Sequence, residues 1–129
     1  MTTDKIRPEG VDDELKTFSM TLRIADPTVD THPFVLYAPF AGAITRVNAQ
    51  TRSSTGTDTT TFSILIEGND PADYTAMVST ASSGVQTTTG EADDTENQFA
   101  IGETIEVDIT ALPGAGYNYF DVEIQGVLL

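Results

Sequence analysis

The chain contains no cysteine and no tryptophan, one histidine, and only six Lys or Arg against twenty Asp or Glu in 129 residues. Without cysteine there is no disulfide framework, no thiolate metal site and no thiol nucleophile. Without tryptophan the usual flat platform for sugars is missing, which leaves Tyr74, Tyr117, Tyr119 and Phe120 as substitutes or, more simply, as aromatics that cap a core. His32 precedes Pro33 in a turn-rich stretch, and no serine or carboxylate stands at a spacing that marks a catalytic triad. A surface histidine is the expectation. Glycine-rich phosphate loops are absent, since "GAGYN" lacks the lysine such loops need. There is no long uncharged apolar run and no apolar signal-type segment in "MTTDKIRPEG". The expectation is therefore a soluble protein, made in the cytoplasm and without a membrane partner.

What the chain has instead is acid, and it is unevenly placed. Net charge is −14, yet all six bases (Lys5, Arg7, Lys16, Arg23, Arg46, Arg52) fall in the first 52 residues, where seven acids nearly balance them. Residues 53–129 carry thirteen acids and no base. A surface of that sign repels phosphate, so nucleic acid and anionic membranes are excluded as partners. Acidity of this degree also serves solubility, with or without any further role.

One domain is the natural count for this length. Hydrophobic residues make up 39% and aromatics 8%, and the balance is rich in Thr and poor in Lys, which favours strands and turns. Residues 1–15 have only Ile6, Val11 and Leu15 to bury and read as an N-terminal arm, with one helical turn expected at "VDDEL".

Residues 16–129 read as a single all-β domain. In "TFSMTLRI", Phe18, Met20, Leu22 and Ile24 alternate with polar residues. "FVLYA" is a short strand whose flanking Pro33 and Pro39 suit a sheet edge. In "GAITRVNAQ", Ala43, Thr45, Val47 and Ala49 share one face, so Ile44 on the other needs cover from a neighbour or a bulge. "SSTGTD" is turn chemistry, so the flanking strands read as a hairpin into "TTTFSILIEG", with Phe62, Ile64 and Ile66 inward. "YTAMVS" and "GVQTTT" are weaker strands. "ETIEVDIT" is the cleanest, with Ile105, Val107 and Ile109 inward, and "YFDVEIQGVLL" closes the chain on Phe120, Val122, Ile124 and Leu128. About eight short strands at regular spacing predict an antiparallel β-sandwich, jelly-roll-like in form.

Two loops are rich in oxygen donors, Glu67, Asp70 and Asp73 in one and Glu91, Asp93, Asp94 and Glu96 in the other. Neither matches an EF-hand, and solvated loops without a bound metal are the expectation. Carboxylate pairs for glycoside hydrolysis exist in any acidic protein, so their number is no evidence for that chemistry.

The stretches "FAGAITRVNAQTRSSTGTDTTTFSILIEG" and "NQFAIGETIEVDIT" resemble a pattern recurrent in structural proteins of tailed bacteriophages. The matching positions are Ala41, Gly42, Ile44, Val47, Phe62, Ile64, Ile66, Gly68, Phe99, Gly102, Glu103, Ile105 and Val107. The likeness covers roughly residues 40 to 110 and concerns fold positions, so no site is carried over. It implies a capsid decoration (cement) protein that binds and stabilises the outer surface of the head shell. The partners implied are the major capsid protein and further copies of the chain, often as trimers, and the location is the virion, assembled in the host cytoplasm. Neither catalytic residue nor cofactor is required. The alternative is a head- or tail-fibre module that adheres to a host glycan or receptor through loops on the sandwich. The arm and the clustered bases nominate Lys5, Ile6, Arg7, Lys16, Arg46 and Arg52 as partner-contacting residues. For Arg46 and Arg52 the competing reading is that they balance acids of their own chain.

Overall fold

Among the described residues the chain forms nine strands in two facing antiparallel sheets, so the expected all-β sandwich is the observed architecture. The computed structural model describes residues 16–25, 34–53, 56–111 and 117–129. The expected arm, the helical turn at "VDDEL" and the loop carrying His32 lie outside the described residues. The strands are β1 (Thr17–Ala25), β2 (Phe34–Tyr37), β3 (Gly42–Ser53), β4 (Thr59–Ile66), β5 (Met77–Thr80), β6 (Gln86–Thr89), β7 (Gln98–Phe99), β8 (Thr104–Ala111) and β9 (Tyr117–Leu128). Among the described residues, helical structure is confined to three 3₁₀ turns at Ala72–Tyr74, Ala81–Ser83 and Thr95–Asn97.

One sheet has the order β1-β9-β3-β6, with two-residue β7 also beside β3; the other has the order β2-β8-β4-β5. Four of the antiparallel pairs are nested, β1 with β9, β2 with β8, β3 with β6 and β4 with β5, and the pairs β3 with β9 and β4 with β8 join them into the two sheets. That is a long hairpin rolled over itself, the jelly roll. Alternation fills the space between the sheets. Ile44, Val47, Ala49, Phe120, Val122 and Ile124 come from the first sheet, and Phe62, Ile64, Ile66, Ile105, Val107 and Ile109 from the second, all buried. Phe62 and Phe120 meet across the gap with ring centroids 4.8 Å apart, edge to face. A second aromatic group, Phe18, Phe40 and Phe99, closes one end.

Two expectations need correction. The strands flanking "SSTGTD" are not a hairpin: β3 and β4 belong to opposite sheets, and the turn carries the chain across the sandwich. Side chains rather than backbones meet there, and Thr51 Oγ1 shares a buried 2.9 Å hydrogen bond with Thr60 Oγ1. Turn chemistry and alternation are the same for a hairpin and for a crossover of this kind, because both reverse the chain between amphipathic strands.

Along β3, Val47 and Ala49 face inward as the alternation predicts, but Thr45 does not. A bulge between Ile44 and Arg46 shifts the register against β9. Ile44 therefore joins Val47, Ala49 and Thr51 inside, while Thr45 is only half-buried. The bulge leaves carbonyls out of the ladder, and they are satisfied from elsewhere: Tyr74 Oη donates to the Ile44 carbonyl at 2.9 Å and Gly90 N–H to that of Thr45 at 3.0 Å. Opposite the bulge lies Gly126, where an added Cβ would sit 1.9 Å from the Ala43 carbonyl oxygen.

Candidate interaction surface

The outer face of the first sheet is built from residues that alternation turns away from the core, namely Ser19, Thr21 and Arg23 on β1, Tyr119, Asp121, Glu123 and Gln125 on β9, and Arg46, Asn48, Gln50 and Arg52 on β3. Cross-strand neighbours on a sheet lie close enough for side chains to bond, and here they do so in two chains. In one, Thr87 Oγ1 donates to Asn48 Oδ1 at 2.7 Å, Asn48 Nδ2 to Glu123 Oε1 at 2.9 Å, and Ser19 Oγ to Glu123 Oε2 at 3.0 Å. This chain links four strands, and its donors hold the Glu123 carboxyl below the usual range, Asn48 first and Ser19 second.

In the other, Arg23 makes a two-pronged pair with Asp121, at 2.8 and 3.0 Å, and Arg52 Nε adds a third bond at 2.7 Å. The hydrogen bond from Arg23 is the main cause that lowers the Asp121 pKa, with Arg52 assisting and partial burial opposing. Arg23 also lies over the Tyr119 ring, 4.7 Å from its centroid. Tyr119 thus faces outward and does not cap the core.

Of the nominated residues, Arg46 and Arg52 project from this face, and Arg52 is paired with an acid of its own chain. Arg46 is exposed and favours ionisation of Glu123. Lys16 is exposed at the start of β1, where its carbonyl accepts the Leu128 N–H at 2.8 Å. Lys5, Ile6 and Arg7 lie outside the described residues. Arg23, not nominated, is the base that holds both oxygens of Asp121 and also stacks on Tyr119. Finding it required the pairing of β1 with β9, residues almost a hundred positions apart.

Apart from Asp121 and Glu123, the acids of residues 53–129 lie on the second sheet and in the connecting loops, where the sequence has no base. The two acidic loops come together. Ala72 N–H donates to Glu96 Oε1 at 3.2 Å and Asn97 Nδ2 to Asp73 Oδ2 at 3.0 Å. Beside them a groove of about 500 Å³ is lined by Glu67, Asp70, Glu96 and Glu103, with Asn69 and Gln98. Several of these carboxylates already serve the backbone. Glu67 accepts from Thr104 N–H and Oγ1, which lowers its pKa, and Asp94 caps the turn at Glu96. Among the described residues no three His, Asp or Glu side chains converge as metal ligands. The convergence of the loops left no sign in the sequence, because each lies in a separate turn-rich stretch.

A last surface feature is apolar. Phe34, Val35 and Tyr37 of β2 are 40%, 41% and 72% exposed. The sequence places this strand at a sheet edge, as observed, but gives no sign that Phe34, Val35 and Tyr37 stay exposed while Leu36 packs against the core.

No family model matches the chain, and no curated protein matches it. Among solved structures it is similar to a family two carbohydrate esterase from Cellvibrio japonicus, at 15% identity and a TM-score of 0.34, over 87% of this chain and 35% of that one. The chain thus spans about a third of that protein's length, and a likeness at this TM-score carries no argument about activity.

Proposed function

We propose that the chain is a structural protein of a tailed-phage virion, a decoration protein that holds the outer surface of the head shell. The observation that supports this reading is the segregation of charge. Three of the four described bases project from one sheet face, the fourth stands at the edge of that sheet, and among the described residues the charged side chains of the opposite side are all acidic. Such a module orients itself against an acidic shell, the major capsid protein, with its bases inward and its acids toward solvent. The outer face is a finished hydrogen-bonded surface, suited to docking as a rigid plate, and the work asked of it is mechanical. Each contact is modest, and many copies on a lattice, themselves associated as homo-oligomers, multiply it.

A second reading, a fibre module that adheres to a host glycan, is favoured by the polar groove at Glu67–Pro71, whose size and oxygen lining suit a sugar. Counting copies in purified virions separates the two: hundreds per particle fit decoration, a handful fit a fibre. The direct test is cosedimentation of the protein with heads that lack it, at rising NaCl. Occupancy should fall as salt screens the face, and the Arg46→Glu/Arg52→Glu double variant, checked for folding by circular dichroism, should bind at least tenfold more weakly. Binding that ignores both salt and the double variant would remove the decoration reading.

A further inference from the structure

We propose that the free edge of β2 is a self-pairing surface, where two copies join antiparallel about a twofold axis at Leu36 and extend the second sheet through both molecules. Besides the two-residue β7, the described part of the sandwich has four edge strands, β1, β6, β2 and β5. Three are defended in the usual ways. β1 carries Arg23 and follows Lys16, β6 reads Gln-Thr-Thr-Thr, and the end of β5 is occupied by the Gln86 side chain, which accepts from Thr80 N–H. β2 carries no charge and, among the described residues, has no polar cover: it reads Phe-Val-Leu-Tyr, and Phe34, Val35 and Tyr37 are open to solvent.

Its backbone is also available. Ala38 faces β8, donating to the Glu103 carbonyl at 2.9 Å and accepting from Gly102 N–H at 2.7 Å. In an antiparallel ladder the direction alternates, so Phe34 and Leu36 face β8 as well, and the N–H and C=O of Val35 and Tyr37 point to the free side. Among the described residues nothing takes them.

Those four groups fix the register. A twofold axis at Leu36 sets Val35 opposite the partner's Tyr37 and Tyr37 opposite the partner's Val35, and each such pair exchanges two backbone hydrogen bonds. On the outer face valine then meets tyrosine, while on the other Leu36 meets its own copy and Phe34 meets the partner's Ala38. Every apolar group is covered by an apolar group and every outward donor by an acceptor, with no contribution from a foreign sequence. A different protein that binds so acidic a chain would be selected by charge, and this strand offers none. The nearest acid across β2 is Glu106, paired with Val35. In the dimer two Glu106 side chains stand at least three strand spacings apart, about 14 Å, beyond the screening length of about 8 Å at physiological salt.

A four-residue strand makes a small interface, at the low end of the range for specific complexes. Self-association is therefore weak for the isolated chain and strengthens where an array already holds copies together. The proposal does not rest on the decoration reading, because the test uses the purified protein alone.

Sedimentation velocity over a wide concentration range should show a reversible monomer–dimer equilibrium that tightens as NaCl rises, since salt screens the repulsion between two chains of net charge −14. Val35→Pro removes an N–H that the β2–β8 ladder does not use, and Tyr37→Lys puts a charge on the edge. Each should weaken the dimer at least tenfold while the melting temperature of the monomer holds. Hydrogen exchange should slow at the Val35 and Tyr37 amides as concentration increases. A chain that stays monomeric at every concentration, a trimer or dimer indifferent to both variants, or a dimer that loosens with salt would each overturn the proposal.

Discussion

Gly126→Ala is the most informative single substitution in this fold, because it tests whether the bulge in β3 and the glycine opposite it form one unit. The added methyl would lie 1.9 Å from the Ala43 carbonyl oxygen and 2.7 Å from the Phe18 ring, where ordinary contact begins at 3.4 Å. To fit, the β3–β9 separation has to open by roughly 1.5 Å, and the obstacle is backbone, which cannot rotate away. Overpacking in a well-filled core costs about 1–3 kcal/mol, and a clash with backbone belongs at the top of that span. About 3 kcal/mol corresponds to a fall of roughly 10 °C in melting temperature for a domain of this size. Gly56→Ala is the control. Its added methyl would meet only the Ser82 Cβ at 3.5 Å, an ordinary contact, so stability should stay the same or rise by a few tenths of a kcal/mol. Thermal and urea unfolding of both variants provides the comparison. If Gly126→Ala melts within about 1 °C of the parent, the close approach of β9 to the bulge is wrong, and with it the register that places Ile44 inside.

Two further predictions concern groups tied to the same framework. Tyr74→Phe strips the buried Ile44 carbonyl of its donor and should cost about 1–3 kcal/mol in urea unfolding, with an unchanged slope; a cost near zero would mean that water replaces the phenol. In the parent, burial first, then Asp73 and Asp94, push the Tyr74 phenol up to about 12. Because this folded value lies above the unfolded one of about 10, its contribution to stability is complete below pH ~10 and is lost as pH rises toward ~12. Phenolate absorbance of the parent minus that of Tyr74→Phe should show the Tyr74 phenol titrating late, and a difference that titrates in the ordinary tyrosine range would refute it. Asp121→Asn breaks the shared pair with Arg23 and Arg52. Since these arginine side chains are 57% and 44% exposed, the loss at neutral pH should be no more than about 1 kcal/mol. The Asp121 pKa is lowered by folding, so the advantage of the parent is present above the usual aspartate range and disappears as pH falls below it. Melting curves of parent and variant that stay equally far apart in acid would contradict the assignment.

The core faces of β4, β8 and β9 were legible in the sequence, because each is an uninterrupted alternation whose inward residues need no knowledge of the neighbour. The edge position of β2 was legible from its prolines, and the asymmetry of charge was plain in the order of residues alone. On β3 the inward Val47 and Ala49 were legible, and so was the need for cover at Ile44, but not that a bulge supplies it, which Gly126, Tyr74 and Gly90 accommodate. Arg23 as the centre of the bonded face was hidden for a similar reason: Asp121 reaches it only through a strand pair that joins the two ends of the chain. The crossing from β3 to β4 and the meeting of the two acidic loops were likewise invisible.

The sequence by itself determined that this would be a thiol-free, acidic, all-β chain, and which side of most strands would be dry. Side-chain direction in a strand is a local property that repeats every two residues whatever lies alongside. Which strand lies alongside is not local. The jelly-roll order, the bulge and the bonded outer face came only from the burial of both sheets against each other, a balance summed over residues far apart in the chain.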